Sequence, residues 1–172
     1  LTEPTWSYLT AQYADEYPHQ IAFTSGMSIV GQGVLSRFPL SDAEYWELGL
    51  GNMRLLVTLD DRTVTLYNLH PPPPAVGRGF DASGRNAAVD EMLARLANES
   101  GALILAGDFN TTSESGDYVR LTQTVRLRDA FREAGTGLGP TFPNMAYTGS
   151  LLRYLPPLFR IDYIFFTEHF SA

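Results

Sequence analysis

The sequence predicts an α/β fold, and three observations carry that prediction. Residues 102–106 are five consecutive apolar residues between Gly101 and Gly107, the pattern of a short strand buried on both faces. Residues 53–59 and 63–69 are strand-like, and Asp60-Asp61-Arg62 between them reads as a hairpin turn. Between that hairpin and the glycine-bounded run lies a helical segment, residues 86–97, with Val89, Met92, Leu93 and Leu96 on one face. Strand, helical crossover, strand is an α/β arrangement.

The remaining elements follow in order. Trp6, Leu9, Tyr13 and Tyr17 recur at helical spacing over residues 1–18, with Thr2 or Thr5 as N-cap and Pro18 beyond the end. Residues 20–24 read as a short strand, residues 26–33 as a glycine-rich loop, and residues 33–37 as a strand ended by Phe38-Pro39. Residues 40–51 read as a loop. After Asn68-Leu69-His70, the four prolines 71–74 impose a stiff extended segment. Residues 80–85 form a polar loop, and residues 111–116 another. Short helices are expected over 118–124 and 127–134, irregular chain over 141–157, and a buried strand over 160–166.

Composition bounds the function. The chain has 172 residues, enough for one domain with a substantial core, and its 44% hydrophobic and 12% aromatic content is that of a globular protein. Without cysteine there is no disulfide, thiol nucleophile or thiolate metal site. A net charge of −7 weighs against tight nonspecific DNA binding, although a divalent cation can still bring phosphate chemistry to a carboxylate site. The stretch contains no apolar run long enough for a transmembrane segment.

The chemistry gathers at strand ends. Asp108 and Asn110 follow the buried run, and the period-2 rule points both to one side, at the edge where open α/β sheets bind ligands. A carboxylate beside a carboxamide suits a metal, a water and a phosphoryl oxygen. Taken alone, Gly107-Asp108-Phe109-Asn110 reads equally well as a turn. Likewise His70 alone reads as a surface or capping residue, Arg37 as a solvated charge, and Asp162 as half of a surface ion pair with Arg160. His19 and His169 match no motif.

Together and in order, the pieces gain specificity. Residues 29–39 (Ile-Val-Gly-Gln-Gly-Val-Leu-Ser-Arg-Phe-Pro), Asn68-Leu69-His70, Gly107-Asp108-Phe109-Asn110 and residues 160–165 (Arg-Ile-Asp-Tyr-Ile-Phe) resemble the endonuclease/exonuclease/phosphatase family over essentially the whole chain. Asp129-Ala130 and Thr141-Phe142-Pro143 fit the same pattern. The resemblance implies a deoxyribonuclease I-like four-layer α/β sandwich: two mixed sheets face to face, with helices outside. It implies a phosphoesterase dependent on Mg²⁺ or Mn²⁺, with a phosphodiester favoured over a monoester by Asn68-Leu69-His70. The alternative is a non-catalytic binding module on the same fold.

By the same resemblance, Asp108 would orient or deprotonate the attacking water and serve the metal. Asn110 would bond the phosphoryl oxygens, and His70 would stabilise the transferring phosphoryl or act as general acid. Asn68 would stand beside His70, Arg37 would contact a substrate phosphate, and Asp162 would orient a histidine near the domain's C-terminus. The family's Gln-Glu strand, whose glutamate is the main metal ligand, would lie upstream of Leu1, and its Ser-Asp-His downstream of Ala172. Neither Glu3 nor His169 replaces them, so residues 1–172 read as a single, incomplete domain, inactive or weakly active by itself. Nucleic acid is a possible partner that the charge does not favour, and related stand-alone domains can follow a membrane anchor.

Overall fold

The computed structural model describes residues 1–26, 30–73, 75–76, 80–81, 83–143 and 154–171. Parts of the loops expected at 26–33 and 141–157, and Pro74, lie outside the described residues. Helix α1 (Glu3–Tyr13) precedes strands β1 (His19–Phe23) and β2 (Gln32–Ser36), which pair antiparallel as a small sheet. Strands β3 (Leu40–Leu48), β4 (Leu50–Leu59) and β5 (Arg62–Leu69) form a meander. The short pair β6 (Ala75–Val76) and β7 (Phe80–Asp81) leads into α2 (Ser83–Leu96) and the central strand β8 (Leu103–Asp108). Then come α3 (Gly116–Thr124), β9 (Arg128–Asp129), α4 (Ala130–Ala134) and β10 (Asp162–Phe166).

The main sheet has six strands in the order β3-β4-β5-β8-β10-β9. β5 and β8 are parallel, joined through α2, and the other neighbours are antiparallel. The α/β class and the hairpin with Asp60-Asp61 at its turn are as the sequence predicts.

Three expectations are corrected. Residues 40–51 are not a loop: β3 is an edge strand whose alternation is broken by a bulge between Ser41 and Glu44, with Asp42 at φ 49°. The helix expected at 127–134 begins only at Ala130. Arg128 and Asp129 pair with β10, and the Asp129 carboxylate caps α4 by accepting from the Phe131 and Arg132 amides. The central strand is fully buried on one face only, at Leu103 and Leu105, while Ile104 and Ala106 are half-buried.

Those faces place everything else. Tyr67, Leu69, Leu103, Leu105, Tyr163 and Phe165 point to one side, where Val89, Met92, Leu93 and Leu96 of α2 and Tyr118 and Leu121 of α3 cover them as the core. On the other side the register aligns Met53 with Asn68, Asn68 with Ala106, and Asp108 with Asp162. Tyr45 shares that second face through its pairing with Met53 and anchors the small sheet there. Its ring stacks on Phe23 at 5.0 Å, and its hydroxyl donates to the Val30 carbonyl at 2.9 Å. Gln32 Nε2 adds a bond to the Gly51 carbonyl at 2.6 Å. The layers are therefore helices, a six-stranded sheet, and the two-stranded sheet on its far side.

Candidate active site

Strand β8 delivers Asp108 at its C-terminal end, on the face away from the helices. Gly107 makes this possible. Its φ of 145° and its approach to Leu69 leave no room for a side chain, since a Cβ there would lie 2.0 Å from the Leu69 carbonyl oxygen. Asp162 begins β10 directly opposite Asp108 in an antiparallel pair, which sets the two Cβ atoms about 5 Å apart. Asn68 lies on the same face of β5, and His70, two residues on, follows it. His70 Nε2 stands 3.8 Å from Asp108 Oδ2, beyond a direct hydrogen bond and within reach through one water.

Electrostatics single out Asp108. Burial raises its carboxyl above the ordinary 3.8, and the neighbouring Asp162 charge raises it further. The Asn110 amide, His70 and Arg85 pull the other way without cancelling that shift. Asn110 itself departs from the predicted alternation. It adopts φ 48°, its backbone N–H donates to Asp108 Oδ1 at 2.8 Å, and its Nδ2 donates to the Pro71 carbonyl at 3.0 Å. The local Asx turn takes over where the strand ends.

Supporting residues fix these groups. Asn52, buried on β4, accepts from the His70 amide at 3.0 Å. Thr141 Oγ1 accepts from the Ile161 and Asp162 amides at 3.1 and 3.3 Å, and the Phe109 amide donates to the Ile161 carbonyl at 2.8 Å. Arg160 does not pair with Asp162. Its guanidinium bonds both oxygens of buried Asp129, at 2.8 and 2.6 Å. Arg37 makes its contacts elsewhere, with Glu16 at 2.5 Å and over the Tyr17 ring. A cavity of about 600 Å³ opens beside Asp162, walled by Ala106, Phe131 and Ile164 among others.

Two supporting residues, Arg85 and Asn52, belong to none of the motifs in the sequence. Arg85, buried in the first turn of α2, donates to the Pro72 and Phe109 carbonyls and to Asp117. A signal was available: a cation near a helix N-terminus opposes the macrodipole and calls for a specific partner. Asn52 falls between the loop expected over 40–51 and the strand expected over 53–59 and carries no such signal.

The Endonuclease/Exonuclease/phosphatase family profile matches residues 1–172, and the chain belongs to that family. Its fold is deoxyribonuclease I-like, shared with several solved structures. An endonuclease/exonuclease/phosphatase family protein from Leptotrichia buccalis superposes with TM-score 0.67 at 18% identity, over 97% of this chain and 67% of its own. Sphingomyelinase C from Streptomyces griseocarneus gives TM-score 0.61 at 16% identity, over 96% and 68%. A Staphylococcus aureus beta toxin variant with bound magnesium ions gives 0.67 at 14%, again over 96% and 68%. The chain thus spans about two thirds of each neighbour. No curated protein matches the sequence significantly. Among the described residues no helix is long and apolar enough to cross a membrane.

Proposed function

We propose that this chain carries part of the active site of a metal-dependent phosphoesterase acting on a phosphodiester. The observation that supports the reading most strongly is the cross-strand pair Asp108–Asp162 with His70 Nε2 facing Asp108. The pair sets a half-buried carboxylate, Asp108, beside an exposed one, Asp162, and a cation or a proton between them relieves their repulsion.

Among the described residues no group of three or more His, Asp or Glu side chains is placed to hold a metal ion. The donors that are present still fit Mg²⁺ or Mn²⁺, because such an ion binds through one or two carboxylates and keeps waters and substrate phosphates as its other ligands. Asp108 is the residue that would hold it. When bound, the ion would supply charge neutralisation at the phosphoryl oxygens.

The chain's own groups divide the remaining work. Asp108 takes a proton from the attacking water as that oxygen bonds to phosphorus. The phosphorus–oxygen bond to the departing alcohol breaks, and His70 returns a proton to that oxygen. One Asn110 amide hydrogen is committed to Pro71, leaving the second for a phosphoryl oxygen, and Asn68 would stand beside His70. Arg37 would serve at the periphery, exchanging Glu16 for a substrate phosphate. The chain's acidity favours a small or lipid phosphodiester over nucleic acid.

The test is hydrolysis by the full-length protein of bis-p-nitrophenyl phosphate and of the corresponding monoester, with Mg²⁺, with Mn²⁺ and with chelator. Metal-dependent diester cleavage is expected. Cleavage of the monoester alone would overturn the diester assignment.

A further inference from the structure

The two loops that carry the site are joined by one side chain outside it. Arg85 sits where a helix disfavours a cation, and it is only 6% exposed, so its guanidinium has left water almost entirely. Every nitrogen of the fork is used. Nε donates to Asp117 Oδ2 at 2.7 Å, one terminal nitrogen to the Pro72 carbonyl at 2.8 Å, and the other to the Phe109 carbonyl at 2.9 Å.

The acceptors decide what this does. Pro72 lies two residues after His70, and Phe109 separates Asp108 from Asn110. The fork therefore spans the gap between the His70 loop and the Asp108 loop, with Asp117 of α3 as its third anchor. Prolines 71–73 have no N–H to donate, so those residues can be hydrogen-bonded only through their carbonyls, by donors from outside. Among the described residues, Asn110 Nδ2 makes the one other such link, to the Pro71 carbonyl. Lysine could keep the charge but not three donors fixed in one plane.

We propose that Arg85 is a positioning residue that sets the distance between His70 and Asp108, and that its fork geometry is required rather than its charge alone. The kinetic half of this rests on the phosphoesterase reading; the structural half does not. The experiment compares Arg85→Lys with wild type in the full-length protein, by steady-state kinetics and by amide hydrogen exchange at His70 and Asn110, well below the melting temperature. Arg54→Lys is the control, since Arg54 pairs with Glu99 on the helix-covered face, away from these loops.

For Arg85→Lys, kcat should fall by roughly 10- to 100-fold with KM little changed, and the two amides should exchange faster. Arg54→Lys should lower the melting temperature and leave kcat and both amides alone. Asp117→Asn, which frees the anchor but keeps the fork, should shift exchange in the same direction by less. Wild-type exchange at His70 and Asn110 in Arg85→Lys would overturn the proposal, as would a kcat no lower than that of Arg54→Lys. Faster exchange in a protein that hydrolyses no phosphoester would uphold the clamp and overturn the catalytic reading instead.

Discussion

Replacing Asp129 with alanine removes one carboxylate from five hydrogen bonds. Asp129 is 3% exposed and accepts from both terminal nitrogens of Arg160, from the Tyr118 hydroxyl at 2.9 Å, and from the Phe131 and Arg132 amides at 3.0 and 3.3 Å. The variant leaves Arg160, itself 14% exposed, without its anion. Breaking a buried pair from one side costs about 3–5 kcal/mol, a figure that already overlaps the ~1 kcal/mol of a lost helix cap. A loss of about 4 kcal/mol would lower the melting temperature of a domain this size by roughly 8–16 °C.

The pH dependence has a definite sign. Burial alone would raise the Asp129 carboxyl, but the bonds from Arg160 and Tyr118 outweigh it and hold the group below its ordinary 3.8. Its contribution is therefore complete above about pH 3.8 and is lost as pH falls through the lower folded value. Urea titrations monitored by circular dichroism should show wild type and Asp129→Ala far apart at pH 7 and converging in acid. A difference under about 1 kcal/mol at pH 7, the range of an exposed pair, would refute the claim that this network is buried and coupled.

Three further outcomes follow from the site. In the presence of chelator, Asp108→Asn should raise the melting temperature at pH 7: the raised Asp108 carboxyl makes its ionisation unfavourable to folding above both pKa values, and the amide is free of that penalty. An unchanged or lower melting temperature would contradict this. His70→Ala should reduce kcat by about 10²–10⁴-fold, and because the imidazole is 27% exposed, thermal unfolding should shift by only a few degrees. Gly107→Ala should destabilise by about 2–4 kcal/mol in urea titrations, since its Cβ meets the Leu69 backbone where β5 and β8 pair.

What the sequence disclosed depended on how local each signal was. The run 102–106, the hairpin at Asp60-Asp61 and the apolar face of α2 are periodic patterns, and they form the middle of the main sheet and its helical cover. Edge strand β3 was hidden because none of its residues is fully buried and its bulge breaks the alternation of exposed and half-buried positions, so neither burial nor period 2 marks it. Asp129 looked like helix interior because capping depends on where the preceding residues pair, which is a tertiary fact. At the site, Asp108, His70, Asn68 and Asp162 were legible as strand-end polar groups, and the register gathers them on one face. Asn52 was not, because it acts through a backbone amide distant in sequence, and Arg85 showed only as a cation near a helix start, its partners being equally distant.

Asp108 is proposed to handle the proton of the attacking water in a metal-dependent hydrolysis. The most direct measurement is the pre-steady-state rate of diester cleavage by the full-length Asp108→Asn protein at saturating Mg²⁺ or Mn²⁺, with folding verified on the same sample. The expected result is a folded protein whose cleavage rate is lower by about 10³-fold or more. A folded Asp108→Asn protein that cleaves the diester within about tenfold of the wild-type rate would contradict it.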